Sequence, residues 1–224
     1  MAQVAEPHYR RRKLRFHVSS ARLLRELRRE YPSSETTGAG AGGVLAEGIE
    51  ALDGLLRRAA RLAQALPDNA AREYQETLKT LKPDATEVER LVMQRVGQDL
   101  FRAALLDYWR GACAVTGLAI PELLRASHAK PWAKCERDEE RLDVFNGLLL
   151  APHLDALFDG GWIAFDEAGN LVPSGQLNSD ARRLLRLDAG DLRMRWVEPE
   201  HQPYLAYHRE NVFLGTASKR PRRD

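Results

Sequence analysis

The sequence is poor in sulfur. Two cysteines, Cys113 and Cys135, stand among 224 residues, too few for a disulfide framework or a four-cysteine zinc site. That scarcity fits a reducing compartment, so the expected localisation is cytoplasmic. Long apolar runs are missing too. No stretch of ~18 apolar residues exists to cross a bilayer, and the charged N-terminus lacks the apolar core of a secretory signal. No membrane partner is expected. Neither absence reflects a shortage of core-forming material: apolar residues make up 44% and charged residues 29%. This balance is ordinary for a folded chain and excludes wholesale disorder. The length fits one large domain, or a compact domain with a helical extension.

A net charge of only +2 conceals an uneven distribution. Residues 1–30 hold nine basic side chains against three acidic ones, and residues 219–224 hold four against one. The body between is net negative. Basic ends on an acidic body point either to arms that touch a polyanion or to solvated termini.

Periodicity places a short helix over residues 18–30, with Ser19 or Ser20 as its cap. Residues 33–43 are polar and glycine-rich and read as a linker. Apolar residues at helical spacing over 44–66 predict a second helix, ended by Pro67, and residues 70–81 a third. A longer helix is expected from a Thr86–Glu89 capping box to Trp109, with Val88, Leu91, Val92, Leu100, Phe101, Leu105 and Tyr108 as its stripe. Beyond it the pattern changes. Residues 113–117 read as a strand or knuckle turning at Gly117, 136–143 as a charged loop, and 147–150 as a buried strand. Residues 153–159 allow about two helical turns, and 162–173 form a hairpin. A short helix and irregular structure follow. Trp132, Phe158 and Trp162 are core candidates, and His208 is expected to pack.

Three domains are expected. Residues 1–85 form a mainly helical N-terminal region with a basic start and the 33–43 linker. Residues 86–175 form a second domain with its leading helix. Residues 176–224 form a C-terminal packing segment and basic tail.

Chemistry-bearing groups concentrate between residues 113 and 159. His128 lies inside a mainly apolar stretch, and Asn146 precedes an apolar strand. His153, Asp155 and Asp159 then fall in one helical segment, where Asp155 and Asp159, four apart, share a face. An imidazole, an amide and two like-directed carboxylates suit a general base beside one hard divalent cation. The alternatives are blander. His128 would be a satisfied core histidine, Asn146 a turn residue before Gly147, and the carboxylates solvated helix groups.

The runs Cys113-Ala-Val-Thr-Gly117, Ser127-His-Ala-Lys-Pro-Trp132 and Asn146-Gly-Leu-Leu-Leu through Leu157-Phe-Asp159 resemble, in order, the motifs of the HNH nucleases. The resemblance covers roughly residues 100–175. It implies an α+β chain whose nuclease domain has the ββα-metal (HNH, His-Me finger) fold, and an endonuclease that hydrolyses phosphodiester bonds in DNA, in a restriction or defence setting. It implies His128 as the catalytic base, Asn146 as the residue keeping base and loop in register, and Asp155, Asp159 and His153 as metal ligands. The implied cofactor is one divalent ion, Mg²⁺ or Mn²⁺ first and Zn²⁺ or Ni²⁺ as alternatives. Arg125, Lys130 and Arg137 stand close enough in sequence to contact flanking phosphates. DNA is the expected partner. A homodimer and a protein partner on the N-terminal helices are further expectations.

Three departures from the family pattern stand out. Ser127 occupies a place where many members carry a metal-binding Asp or His. His153-x-Asp155 stands where relatives carry the reverse order. Thr116 replaces the second cysteine of a zinc knuckle, so no structural zinc is expected. The first two departures support an alternative: a DNA-binding module that has kept the fold and lost catalysis.

Overall fold

A computed structural model describes residues 13–34, 42–79, 87–188, 190 and 192–215. The chain divides into two compact units, Met1–Gln64 and Ala65–Asp224.

The first unit contains β1 (Lys13–His17), α1 (Ala21–Leu27), β2 (Ser33–Ser34), β3 (Gly43–Glu47) and α2 (Gly48–Ala65). Its sheet is antiparallel in the order β1-β3-β2. The region therefore adds a small sheet to its helices, and the reason is local. Val44, Leu45 and Ala46 form a short apolar run that pairs with β1. Gly48, at φ 86°, turns the chain out of the strand, where a residue with a Cβ would be strained. The helix expected over 44–66 begins only there. β1 was hidden in a basic run: Lys13, Arg15 and His17 alternate with Leu14 and Phe16, the period-two pattern of a half-buried strand. Phe16 packs against Val18, Leu24, Leu27, Val44, Leu55 and Leu62. Ser20 caps α1 as expected, accepting from Leu23 N at 3.2 Å. Arg58 Nε donates to Glu30 at 2.7 Å, so the largely buried guanidinium at this core's edge is paired. Of the expected linker, Ser33, Ser34 and Gly43 are sheet residues; residues 35–41, like 1–12, lie outside the described residues.

The second unit begins with α3 (Pro67–Lys79) and α4 (Glu87–Tyr108), which pack on each other. α3 groups here rather than with the N-terminal region. Pro67 opens α3 instead of merely ending its predecessor, because a proline at a helix start forfeits no intrahelical bond. The expected Thr86–Glu89 cap and the packing of Val88 fall outside what is described, as does the basic tail at 219–224. Among the described side chains of α4, the large apolar ones of the core lie in its C-terminal half. Phe101, Leu105, Tyr108 and Trp109 are buried, whereas Leu91 and Val92 are 61% and 49% exposed. Fully burying each such side chain contributes roughly 1.5–3 kcal/mol, so this half of the helix anchors the elements laid on it.

Those elements are β4 (Arg125–His128), α5 (Asp138–Arg141), β5 (Gly147–Leu150) and α6 (Pro152–Asp159). β4 and β5 form a two-stranded antiparallel sheet with Ser127 opposite Leu148 and His128 opposite Gly147. α4 and α6 both pack on this ribbon. β6 (Ile163–Phe165) and β7 (Leu171–Pro173) make the expected hairpin. α7 (Ser179–Leu184) and α8 (Gln202–Asn211) complete the unit. Residues 113–117 are a turn rather than a strand, with Gly117 at φ 72°. Cys113 Sγ accepts from the backbone N–H groups of Val115, Thr116 and Ala151 at 3.3–3.5 Å. The thiol is thus a buried knot that ties the turn to the start of α6. No described helix is long and apolar enough to cross a membrane.

Candidate active site

His128 ends β4, and three neighbours fix its ring. Gly147, directly across the sheet, has no side chain, and a Cβ there would run into Phe101 and Leu105. Phe101 of α4 uses that space and stacks flat on the imidazole, with centroids 3.8 Å apart and planes within 13°. Trp132 meets the ring edge-on at 5.8 Å. The third neighbour is a backbone group: His128 Nε2 lies 2.8 Å from the Arg141 carbonyl oxygen. A carbonyl only accepts, so Nε2 carries the proton and Nδ1 of the neutral ring keeps its lone pair. Nδ1 meets no hydrogen-bonding group among the described residues and is not sealed from solvent. Burial lowers the His128 pKa to about 4, partly offset by the Arg141 carbonyl. At neutral pH the ring is an unprotonated acceptor held in one orientation.

Asn146 supplies the frame. It is wholly buried and spends its amide on the loop between β4 and β5. Its Oδ1 accepts from Lys130 N at 2.7 Å. Its Nδ2 donates to the carbonyls of Lys130 (3.2 Å) and Glu140 (3.0 Å), and to Cys135 Sγ (3.4 Å). Its backbone carbonyl receives Ala129 N at 2.9 Å. The residue closes the loop that delivers the Arg141 carbonyl to His128. Its amide is spent on holding this loop.

The carboxylates lie on the other side of the ribbon. Adjacent strand residues face opposite ways, so Ser127 points to α6 while His128 points to α4. Ser127 Oγ donates to Asp159 Oδ1 at 3.0 Å. Asp159 keeps an accessible outer surface, but the burial of its carboxyl raises the pKa, and the charge of Asp155 raises it further, against the Ser127 hydrogen bond. Asp155 and Asp159 therefore form the like-charged, one-face pair that their spacing implies. His153 sits at the exposed start of α6, two residues before Asp155. It lines a separate cavity of about 450 Å³ with Thr116, Leu184 and Leu192. Among the described residues no three His, Cys, Asp or Glu side chains gather as a metal cluster. What is gathered is two mutually repelling carboxylates and a hydroxyl. This oxygen-only set suits a hard cation that keeps several waters.

The three basic residues differ. Arg125 is exposed and occupies the same face of β4 as Ser127, with no partner among the described residues. Arg137 is exposed at the N-cap of α5. Lys130 is engaged: its Nζ contacts both Glu140 oxygens at 3.0–3.1 Å and lies 5.7 Å from the Tyr207 ring centroid. His208 packs as expected, buried and stacked on Phe158 at 3.8 Å.

The sequence marks Ser127 only as a departure from the family pattern and singles out neither Phe101 nor Arg141 for the site. A hydroxyl one residue before His128 was the available sign for Ser127. Nothing in the sequence announces a backbone carbonyl.

No curated protein matches the chain. A family model described as HNH endonuclease matches residues 113–166. The matched stretch runs from the Cys113 turn through β4, β5 and α6 to β6, so this part of the chain is similar to the HNH endonuclease family.

Proposed function

We propose that the protein is a divalent-cation-dependent endonuclease that hydrolyses phosphodiester bonds in DNA, with His128 as general base. The observation that carries this reading is the ring clamp. Phe101 and the Arg141 carbonyl leave Nδ1 as an oriented, solvent-reachable acceptor, one residue from the hydroxyl that joins Asp159. Among the described residues β4 pairs on one side only, so its other edge is where a phosphate can meet groups from both faces.

Nδ1 takes the proton of the attacking water, and the Nε2–H bond to the Arg141 carbonyl steadies the imidazolium that forms. Asp155, Asp159 and the Ser127 hydroxyl would hold the cation. Bound there, the cation supplies positive charge to the phosphate and to the leaving oxygen. Arg125 holds a flanking phosphate in register without reading sequence.

The test is supercoiled plasmid with Mg²⁺ or Mn²⁺, with and without EDTA. Cleavage that EDTA stops, and that His128→Ala lowers by ~10²-fold or more, supports the assignment. Undiminished cleavage by His128→Ala removes His128 as the base. The alternative reading, a DNA-binding module without catalysis, is favoured by the lack of a three-ligand cluster among the described residues. Binding with no cleavage in either metal selects it.

A further inference from the structure

The first unit has a charged sheet face that the nuclease reading does not use. Along β1, Lys13, Arg15 and His17 are exposed, while Leu14 and Phe16 face the core. Residues two apart on a strand stand ~6.6 Å apart on one face, so the three groups form a straight row. Their cross-strand partners are Glu47, Leu45 and Gly43. Glu47 is the only acid there and already lies 3.5 Å from Lys13. Arg15 has no partner among the described residues.

The charge imbalance belongs to this unit as a whole. Residues 1–64 contain twelve Lys and Arg against seven Asp and Glu, whereas residues 65–224 contain twenty-two against twenty-five. Several acids of the unit are consumed internally: Glu26 by Arg29, Glu30 by Arg58, and Asp53 by Arg57. The sequence also runs Arg10-Arg11-Arg12 straight into Lys13. An exposed row of two cations and a histidine, with one paired acid, fits a regular polyanion. Duplex DNA carries a phosphate charge per ~1.7 Å of axis.

We infer that the exposed face of β1, through Lys13, Arg15 and His17, docks the sugar–phosphate backbone of duplex DNA, giving the protein a substrate-anchoring surface separate from the site that cuts. This rests on the DNA reading above. It adds a sequence-independent binding step, and so a dependence on ionic strength beyond the one that Arg125 contributes beside His128.

The test measures binding of the full chain to a fluorescent duplex in EDTA, where no cleavage occurs, between about 50 and 200 mM salt. Arg15→Gln is compared with Arg57→Gln, which removes the same charge from an exposed position on α2. The expected result is a log–log salt slope shallower by ~0.9 for Arg15→Gln, several-fold weaker binding at low salt, and no slope change for Arg57→Gln. Circular dichroism checks that both variants fold.

Equal slopes for Arg15→Gln and wild type overturn the inference; plasmid cleavage in that case leaves the nuclease reading standing. Equal loss in both variants also overturns it, because the effect then belongs to net charge rather than to this face. A slope change without cleavage in any metal upholds the docking face and removes the nuclease. No duplex binding by the wild type, or a preference for duplex RNA, sinks the DNA-docking face.

Discussion

Two histidines in the second unit are held the same way and left with different freedom. His128 lies flat on Phe101 and His208 flat on Phe158, each with centroids 3.8 Å apart. Each directs Nε2 at a backbone carbonyl, Arg141 at 2.8 Å and Phe158 at 3.0 Å. Burial lowers both pKa values to about 4. The difference is the other nitrogen. His208 is 1% exposed, and its Nδ1 is buried without a partner. His128 is half-buried, and its Nδ1 is not sealed from solvent. Stacking, tautomer and lowered pKa are thus common to both rings; access to the lone pair is what sets the proposed base apart. The same clamp at His208 holds α8 against the end of α6.

The sharpest way to break this comparison is to exchange the two losses. His128→Ala is expected to lower plasmid cleavage by ~10²-fold or more while leaving the thermal midpoint within a few degrees, since the removed ring is partly exposed. His208→Ala is expected to do the reverse. It opens a cavity against Phe158 and costs about 3 kcal/mol of stability, read by urea unfolding, while cleavage per folded molecule stays within about twofold of wild type. If His208→Ala abolishes cleavage without unfolding the chain, the division between working and structural histidine is wrong.

Asn146→Ala comes next and acts on both quantities. It leaves the part-buried Lys130 N–H and the Lys130 and Glu140 carbonyls without their Asn146 partner. Unsatisfied buried groups cost ~1–3 kcal/mol each. The loop that carries the Arg141 carbonyl loosens, and cleavage should fall at least tenfold even at temperatures where the variant is folded. Full activity in a folded Asn146→Ala protein would separate the loop clamp from the base.

How much of this was legible in the sequence depends on the element. β5 was, because Leu148-Leu149-Leu150 is a short apolar run behind a turn residue, and it is buried throughout. α6 was, because Pro152 and Gly160 bracket it and the apolar positions fit two turns. β4 was not: Arg125-Ala-Ser-His128 shows no alternation of polarity, and pairing with β5 imposes its strand conformation. β1 and β3 were missed because the arginine-rich run masked the alternation and Val44-Leu45-Ala46 also fits a helix. The carboxylate pair on α6 followed from i, i+4 spacing alone. The ring clamp did not. Phe101 is 27 residues from His128 in sequence, and only the absence of a side chain at Gly147 brings them together.

Acid sharpens the comparison further. His208 has a folded pKa of about 4 against ~6.5 in an unfolded chain. Between those values the unfolded state binds the proton and the folded state does not. Stability is therefore complete above pH ~6.5 and declines as pH falls toward 4, by up to roughly 3 kcal/mol from this residue. His208→Phe keeps the ring and removes the titration. At pH 7 it should be less stable than wild type by ~1 kcal/mol for the lost bond to the Phe158 carbonyl. That deficit should shrink or reverse by pH 5. A constant gap across the range, in urea melts at each pH, would show that His208 protonates in the folded protein as easily as in the unfolded one.

The smallest expected effect separates two basic residues near His128. Arg125 and Lys130 both suggest themselves as phosphate contacts from the sequence, yet the fold treats them differently. Arg125 projects unpaired from the face of β4 that Ser127 shares with α6. Lys130 has its charge met by both Glu140 oxygens, and releasing it for a phosphate would strand a carboxylate beside the Asn146 clamp. Arg125→Gln should raise the KM for a short duplex three- to tenfold and shorten the salt slope by about one charge. Lys130→Gln should leave that slope alone and cost about 0.5–1 kcal/mol in loop stability. If the two substitutions exchange these signatures, the Lys130–Glu140 pair opens on binding and the charge that meets the backbone comes from the loop rather than from the strand.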